Sequence, residues 1–363
     1  MNIRFLENGE EAAWDEYVNR HPEATLCHLS GWRRVIENTY GHKSYYLLAD
    51  NGAAGNGQGI SGLLPLIHIK SVLFGNSLVS MPFLNYGGVL SDNDEIGKQL
   101  VDEARNVGKT IGVKNIQLRQ IDAASWLESG GATAARNAPA AISNTRKVRM
   151  LLSLPQTSKI LFESFKSKLR SQIRKPQKEG LAHDIGGAEL LADFYRVFSI
   201  NMRDLGSPVH SRKLFENIMK EFELGVKIGI VRHNGIPAAA GFVFCFRDTV
   251  EIIWASALRE YNHLSPNMLL YWSLLEHVTD AGYRYFDFGR STPDEGTYRF
   301  KEQWGAKPIW LYWYEVNPEG NAYDVDNIER ESRLRQKGEK IWQKIPLSFA
   351  NLIGPAIRRQ IPL

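Results

Sequence analysis

The sequence predicts an α/β protein, of the α+β kind, with mixed sheets flanked by helices in two similarly ordered halves. Three observations support this fold class. Both halves contain stretches with the alternation of apolar and polar residues that is typical of strands. Short turns rich in glycine join these stretches into hairpins. In each half, a long amphipathic stretch and one further strand follow the hairpin. The 363 residues are 43% hydrophobic, which is enough for two cores.

The first half contains helices, a hairpin and a closing strand. Its predicted elements are helices at 11–20 and 30–40, strands at 43–50 and 60–71, a helix at 93–109 and a strand at 114–121. The glycine-rich turn NGAAGNGQG (51–59) joins the first two strands. Asp92 stands where the N-cap of the long helix is expected.

The second half repeats this order. Its predicted elements are strands at 225–233, 236–248 and 249–258, a helix at 265–282 and a strand at 283–290. The dipeptide Asn234-Gly235 is typical of a hairpin turn. Ser265 is the expected N-cap of the helix, and Pro266 stands at its first position, where a missing N–H costs nothing.

The segments between and after the halves differ in composition. Residues 123–145, rich in Ala, Gly and Ser, predict a mobile surface loop. A strand is predicted at 147–154 and a basic helix at 158–180. The tail mixes apolar and basic residues, and we expect it either to pack on the body or to contact an anionic membrane surface. The expected domains are therefore 1–155, 156–325 and a helical, basic tail at 326–363.

Composition excludes several classes of protein. The net charge of +4 is mild, the polar start of the chain does not resemble a signal peptide, and Lys70 and Pro82 interrupt the one long apolar stretch. Cys27 and Cys245 show neither disulfide nor metal-ligand spacing. We expect a cytoplasmic protein with no metal site. A peripheral location at a membrane is the alternative. Motifs of serine hydrolases, nucleotide-binding loops and zinc proteases are absent from the sequence.

The basic helix contains a stripe of cations spaced by about four residues. The stripe consists of Lys166, Arg170, Arg174 and Lys178, and Lys168 and Lys175 widen it. Because residues four apart share a helix face, the stripe predicts binding of phosphate groups, with a solvated surface as the alternative. We expect Pro176 to kink the last turn.

Two adjacent stretches near residue 290 contain the candidate catalytic groups. In the strand YRYFDFGRS, Asp287 lies among aromatic residues and either caps a turn or acts as a base, while Arg290 ends the strand, where ligands often bind. In GTYRFKEQWG (296–305), Phe300 and Trp304 are expected to pack together. Lys301 either stabilises the negative charge that develops on an acyl carbonyl or is a surface lysine.

Two loops contribute further candidates. In MPFLNYGGVL (81–90), Tyr86 is a candidate for stacking on a base or sugar, with a tight turn as the alternative. In NMRDLGSPVHS (201–211), Asp204 is a candidate for substrate binding, with a turn as the alternative.

The chain resembles a known family. Its duplicated order suggests two acetyltransferase-like (GNAT) domains in tandem, and the motifs KLRSQIRKPQKEG, NMRDLGSP, SPNMLLYW, YFDFGRS and GTYRFKEQWGAKP resemble the Fem peptidyltransferases. The closest resemblance is to FemAB-like proteins of exopolysaccharide and PEP-CTERM protein-sorting systems. Fem enzymes transfer an amino acid from aminoacyl-tRNA to an amine of a cell-wall precursor.

The resemblance implies roles for particular residues. Phe300 and Lys301 match the Phe-Lys pair of the Fem catalytic site, so Lys301 would stabilise the tetrahedral intermediate or the tRNA terminus. Tyr298 and Arg299 would shape the pocket, and the loop of Asp204 would border the acceptor cleft. Arg170, Arg174 and Lys175 are the cations that we expect to bind the donor.

The sequence departs from the family in two respects. It lacks the heptads of the long helical arm, so the acceptor need not be a peptidoglycan precursor. The segment REYNHLSPN (259–267) contains none of the glycines that hold the pyrophosphate of CoA. We therefore expect an acyltransferase without a permanently bound cofactor, using aminoacyl-tRNA or acyl-CoA as donor and a glycan or peptide precursor with a free amine as acceptor. The alternatives are an N-acyltransferase using acyl-CoA or an acyl carrier protein, and a non-catalytic binding protein of envelope assembly.

Overall fold

The protein, represented by a computed structural model, consists of two compact units. The structure describes residues 1–52, 59–71, 75–128, 141–144, 146–319 and 338–362. The first unit comprises Met1–Lys147, Trp310–Glu329 and Arg359–Leu363, and the second comprises Val148–Ile309 and Arg330–Arg358.

The helices and strands before residue 148 agree with the predicted order, with short additional strands. In chain order they are β1 (Asn2–Phe5), α1 (Glu11–Arg20), α2 (Gly31–Tyr40), β2 (Lys43–Asp50), β3 (Ile60–Ser71), β4 (Gly75–Val79), β5 (Leu90–Ser91), α3 (Asp94–Ile111), β6 (Asn115–Gln120), α4 (Ser125–Glu128) and β7 (Ala141–Asn144).

The elements after residue 147 include the second predicted hairpin, helix and strand. In chain order they are β8 (Val148–Ser153), α5 (Ser158–Ser164), α6 (Ser167–Lys178), β9 (Leu181–Gly186), α7 (Leu191–Leu205), α8 (Arg212–Glu221), β10 (Val226–His233), β11 (Ile236–Phe246), β12 (Thr249–Ala257), α9 (Pro266–Asp280), β13 (Tyr285–Ser291), α10 (Gly296–Glu302), β14 (Lys307–Trp310), β15 (Tyr312–Val316) and α11 (Leu347–Arg358).

The first unit is built on an eight-stranded mixed sheet. Its strand order is β1-β2-β3-β4-β6-β15-β7, and β5 pairs with β3. β4 and β6 are parallel, while the pairs β1–β2, β2–β3, β3–β4, β3–β5, β6–β15 and β7–β15 are antiparallel. The amphipathic helix α3 buries Leu100 and Ala104 in the same core as Leu64 and Ile116 of the sheet, as its 3.6-residue period predicts.

The second unit is built on a seven-stranded mixed sheet with helices on both faces. Its strand order is β14-β8-β13-β12-β11-β10-β9. Phe242 of β11 contacts Phe194 of α7, whereas the next residue, Val243, belongs to the core that contains Leu270 and Leu274 of α9. Because successive strand residues face opposite sides, α7 and α9 cover opposite faces of the sheet. This confirms the predicted fold class.

The two units do not follow the linear division expected at residues 155 and 325. Strand β8 lies in the second sheet, antiparallel to β13, whereas β15 lies in the first sheet between β6 and β7. Residues 330–358 belong to the second unit, and 359–363 to the first. Strand partners are chosen by long-range backbone hydrogen bonds, which the hydrophobic period of a segment does not encode.

Three local predictions require correction. The N-cap of α3 is Asn93, whose side chain accepts from the backbone N–H of Ile96, and not Asp92. Ser265 does precede α9, but it is in the left-handed region with φ 57° and its side chain makes no capping hydrogen bond. The basic helix predicted at 158–180 is two helices, because Phe165 between them is extended.

Other predicted segments lie partly outside the described residues. The undescribed parts include residues 53–58 of the glycine-rich turn, residues 129–140 of the predicted loop, and residues 320–337 around the start of the tail. Within the ranges that the structure describes, no helix combines the length and the apolar character needed to cross a membrane.

Candidate active site

The sheet of the second unit contains an opening between its two parallel strands. β12 and β13 pair in register from Thr249 and Tyr285 to Glu251 and Asp287, over three residue pairs. Beyond that point, β12 follows β11 through a β-bulge next to Trp254. The carboxyl ends of the two strands therefore separate, and such a crevice is where open α/β sheets bind ligands.

Two buried carboxylates lie where the strands begin to separate. Glu251 is 3% exposed and Asp287 is 0% exposed. They are direct partners in the parallel register, and paired residues of neighbouring strands project from the same face of a sheet. Our sequence reasoning missed Glu251. The available signal was a single acid in the middle of the apolar strand TVEIIWASAL.

Asp287 fixes the backbone that follows it. One carboxylate oxygen accepts from Arg149 Nε of β8 at 2.7 Å, and the other accepts from the backbone N–H of Gly289 at 2.8 Å. Gly289 has φ 69°, a conformation that favours glycine, and the register with β8 shifts between Asp287 and Arg290. The carboxylate therefore holds a β-bulge at the end of β13, as the turn-capping alternative predicted.

Lys301 is buried against this bulge. It lies on α10 and is 8% exposed, and its Nζ donates to the carbonyl oxygens of Gly289 at 3.3 Å and Arg290 at 2.9 Å. The surface alternative for Lys301 is therefore wrong. Because an ammonium has three N–H donors, two carbonyls leave one donor for a further acceptor.

The surroundings of Lys301 shift its proton equilibrium. The pKa of the ammonium is lowered to about 8, chiefly by burial and also by Arg290, while Asp287 and Glu251 oppose the shift by raising the pKa. Desolvation disfavours the charged form of a lysine, whereas neighbouring carboxylates favour it. Lys301 consequently titrates within two units of neutral pH, which is the range that acid–base and electrostatic catalysis use.

Aromatic residues hold the helix of Lys301 in place. Trp304 is 1% exposed, and its ring lies 5.6 Å from the ring of Phe165 and 6.2 Å from that of Phe300. Phe300 is half-buried and contacts Tyr271 of α9 edge to face at 5.0 Å. The expected packing of Phe300 with Trp304 is confirmed. Tyr298 is half-buried and Arg299 is exposed.

One cation of α6 contacts the segment that precedes α9, and two others contact α5. Lys175 Nζ donates to the carbonyl of His263 at 2.7 Å, and Arg170 donates to the carbonyl of Glu163 at 3.1 Å. The guanidinium of Arg174 stacks over the ring of Phe162 at 5.1 Å. α6 continues past Pro176 to Lys178. Lys175 thus anchors the cationic helix beside the start of α9.

The two remaining candidates are Asp204, near the end of α7, and Tyr86, in the first unit. Asp204 closes α7, accepts from Arg203 Nε at 2.7 Å, and its carbonyl accepts from Arg259 at 2.7 Å. Tyr86 lies in the first unit and is 0% exposed. A fully buried ring has no open face on which a base or sugar could stack, so the prediction for Tyr86 needs correction.

The first unit contains a matching pair of parallel strands, but its own chain fills the gap. β4 and β6 also pair over three residues, ending at Val79 and Gln117. Beyond them, the backbone N–H of Arg119 donates to Ser80 Oγ, and its guanidinium donates to the carbonyls of Met81, Leu84 and Pro362. Arg119 is 1% exposed. Of the two openings, the one in the second unit is therefore the candidate site.

Comparisons with known proteins agree with this geometry. Residues 163–302 match the Acetyltransferase (GNAT) domain family. No curated protein matches the chain.

Three solved structures share its fold. FemX has 15% identity and a TM-score of 0.62, with 86% of this chain and 97% of FemX covered. The C-terminal domain of a proposed lysylphosphatidylglycerol synthetase from Agrobacterium fabrum has 12% identity and a TM-score of 0.56, covering 86% and 92%. A tandem GNAT protein of the clavulanic acid pathway has 12% identity and a TM-score of 0.50, covering 89% and 100%.

These findings confirm several predictions at a coarse level. The fold is that of tandem GNAT-like proteins, and the matched residues 163–302 include β12, β13 and α10. The second unit therefore contains a GNAT acetyltransferase domain, which confirms the predicted enzyme class, an acyltransferase. The resemblance to Fem proteins is confirmed as a structural similarity.

Proposed function

We propose that the second unit forms an amide bond by transferring an aminoacyl or acyl group from an activated ester to an acceptor amine, with Lys301 stabilising the transition state. The observation that carries this proposal is the buried Nζ of Lys301, held by two carbonyls at the opening between β12 and β13. One ammonium N–H remains for an oxygen of the substrate. A GNAT domain at these residues supports acyl transfer as the reaction class.

The chemistry requires little covalent participation by the protein. The nitrogen of the acceptor attacks the carbonyl carbon, and the carbonyl oxygen becomes an oxyanion in the tetrahedral intermediate. The bond to the leaving oxygen then breaks, and the proton lost by the amine goes to that oxygen. Lys301 would donate to the oxyanion, a contribution typically worth about 10²- to 10³-fold in rate. Phe300, Tyr298 and Arg299 would border the reacting carbonyl.

Ser291 would supply a second donor in this proposal. It ends β13, directly after the two residues whose carbonyls hold Lys301. Its side chain is 4% exposed, and its buried Oγ makes no hydrogen bond with any residue that the structure describes. Because a buried hydroxyl without a partner is costly, a ligand oxygen bound there would satisfy it.

The donor that fits best is an aminoacyl-tRNA. The backbone N–H groups of Tyr261, Ser265 and Met268 already donate to backbone carbonyls, and Pro266 has none. The segment before α9 therefore offers few free N–H groups for a CoA pyrophosphate. The exposed cations of α6, anchored to this segment by Lys175, suit the phosphates of an RNA strand. Arg170, Arg174 and Lys175 are the donor-binding residues in this proposal.

The acceptor in this proposal is an amine of a cell-envelope or exopolysaccharide precursor, in the cytoplasm or at the membrane surface, with Asp204 and Arg290 bordering it. The similarity to FemX supports an acceptor of this class. The similarity to a proposed lysylphosphatidylglycerol synthetase makes a lipid-borne acceptor the second class to test. An association with PEP-CTERM systems stays a prediction of the sequence resemblance.

The proposal is tested by transfer from labelled donors. Purified protein is incubated with a pool of amine-bearing precursors and either charged tRNA or labelled acetyl-CoA, and products are identified by mass spectrometry. We expect transfer from charged tRNA, and loss of transfer in Lys301→Ala, which should still fold. Lys307→Ala, an exposed lysine of β14, is the matched control. Transfer from acetyl-CoA alone would favour the acyl-CoA alternative, and no transfer from either donor would favour a binding protein.

A further inference from the structure

The C-terminal helix α11 uses one face for packing on the second unit. Ala350 is 2% exposed, and Gly354 lies so close to Val209 that an added Cβ would be 3.1 Å from it. At the end of the helix, Arg358 Nε donates to His210 Nε2 at 3.0 Å. The expectation that the tail packs on the body of the protein is therefore correct for this face of α11.

The opposite face of α11 leaves large apolar side chains in solvent. Phe349 is 51% exposed and Leu352 is 75% exposed, and residues three apart are neighbours on a helix surface. Ile341, in the helical turn at 338–342 just before α11, is 66% exposed. Solvent exposure of three such side chains within twelve residues is unfavourable unless something covers them.

A fourth exposed apolar residue comes from another helix. Leu205, at the end of α7, is 54% exposed. Its neighbour Gly206 lies against the backbone of Glu339, where an added Cβ would be 2.6 Å from the carbonyl oxygen. This close approach brings Leu205 beside the turn that contains Ile341. The exposed apolar side chains therefore come from two elements of the second unit.

Two exposed lysines lie among these side chains, beside the acid Glu339 of the same helical turn. Lys340 and Lys344 are exposed, and neither forms an ion pair with a residue of the described chain. The sequence of α11, LSFANLIGPAIR, contains no acid. We call the set Leu205, Lys340, Ile341, Lys344, Phe349 and Leu352 the apolar-basic patch.

We propose that the apolar-basic patch docks the protein on an anionic lipid bilayer. Interfacial helices bury Phe and Leu at the boundary between headgroups and acyl chains while lysines contact anionic headgroups. A contact between two copies of the chain would instead place the lysines of both copies in one interface, and the cores of such interfaces are depleted of charge. This docking surface does not depend on the proposed reaction.

The test is co-flotation of the full-length protein with lipid vesicles. We expect binding to vesicles of phosphatidylglycerol and phosphatidylcholine, and at least about tenfold weaker binding to phosphatidylcholine alone. The double variant Phe349→Ser, Leu352→Ser should weaken binding to the anionic vesicles by about tenfold or more. Leu224→Ser is the matched control, because Leu224 is 94% exposed on a different segment and should bind like the wild type.

Charge and self-association provide the second arm. Lys340→Glu with Lys344→Glu should abolish the preference for anionic vesicles, and added salt should weaken wild-type binding. Sedimentation velocity measures the oligomeric state in parallel. The proposal is overturned if no vesicle binds the wild type. It is equally overturned if Phe349→Ser, Leu352→Ser abolishes a dimer while vesicle binding stays unchanged, since the patch would then be an interface between copies.

Discussion

Lys301 Nζ donates a hydrogen bond of 2.9 Å to the backbone carbonyl of Arg290. This contact connects α10 with the end of β13 and fixes the ammonium at the opening of the sheet. A carbonyl can only accept, so it orients Lys301 without taking its proton. Because the pKa of Lys301 is lowered to about 8, chiefly by burial, its charge changes with pH close to the physiological range.

The pH dependence of transfer should report the charge of Lys301. If the ammonium stabilises the oxyanion, the rate at saturating substrate falls as pH rises through about 8, where Lys301 loses its proton. Lys301→Arg retains a cation at every accessible pH, so this descending limb should be absent from the variant, whatever its residual rate. The measurement is the pH profile of kcat for both proteins. A wild-type rate that instead rises through pH 8 would mean that the neutral amine acts as a base.

The buried charge of Lys301 should lower the free energy of unfolding at neutral pH. The folded pKa of Lys301 is about 8 and the reference value is 10.5, so the unfolded state binds more protons between these values. Stability therefore rises with pH across this window, by a term on the order of 3 kcal/mol. We expect Lys301→Met to raise the free energy of unfolding at pH 7 by about 1–3 kcal/mol, because it removes the buried charge.

Urea unfolding at pH 7 and pH 10 measures this effect. The advantage of Lys301→Met over the wild type should shrink at the higher pH, as the wild-type amine becomes neutral. Lys307→Met, which replaces an exposed lysine, should show no comparable change. An advantage that is equal at both pH values would mean that packing, and not charge, causes it.

Much of the fold could be predicted because strand alternation and turn residues are properties of short stretches of the sequence. The alternation in 225–233 and 236–248 and the turn at Asn234-Gly235 predicted β10 and β11 as a hairpin, and their antiparallel pairing is observed. The placement of β8 and β15 in their respective sheets could not be predicted. Both are ordinary strand patterns, and their partners lie more than 100 residues away along the chain.

The candidate site was predicted in part. The Phe-Lys pair was identified from the resemblance to Fem enzymes and Asp287 from its aromatic strand, but the reason that they meet is the bulge at Gly289, which no sequence period reveals. Glu251 was missed because a lone acid in a strand usually points to solvent. Arg119, whose side chain lies at the first opening, was missed because three of its acceptors are backbone carbonyls and another is the side chain of Gln117.

Asp287 should act on Lys301 through charge and on the strand through Arg149. Asp287→Asn retains an acceptor for the Gly289 N–H but removes the buried carboxylate that forms an ion pair with Arg149, whose side chain is 15% exposed. We expect a loss of about 3 kcal/mol in stability. The pKa of Lys301 should also fall, because Asp287 raises it, so the descending limb of the rate profile moves to lower pH.

Two measurements separate this role from direct catalysis by Asp287. Asp280→Asn, which alters an exposed carboxylate bonded to Ser158, should change stability by less than about 1 kcal/mol. If Asp287→Asn strongly lowers the rate of transfer with no change in stability and no shift of the limb, then Asp287 is the base of the reaction and not a positioning residue.

The cationic face of α6 should determine the salt dependence of donor binding. Each phosphate that a lysine or arginine neutralises on single-stranded RNA contributes about −0.7 to the slope of log K against log salt. Arg174→Ala should therefore weaken binding of charged tRNA and make the slope shallower by about 0.7. Filter binding at several salt concentrations measures both quantities. Lys213→Ala removes an exposed cation of α8 and should alter neither. If Arg174→Ala lowers affinity equally at every salt concentration, its stacking on Phe162 matters, and its charge does not contact the phosphates.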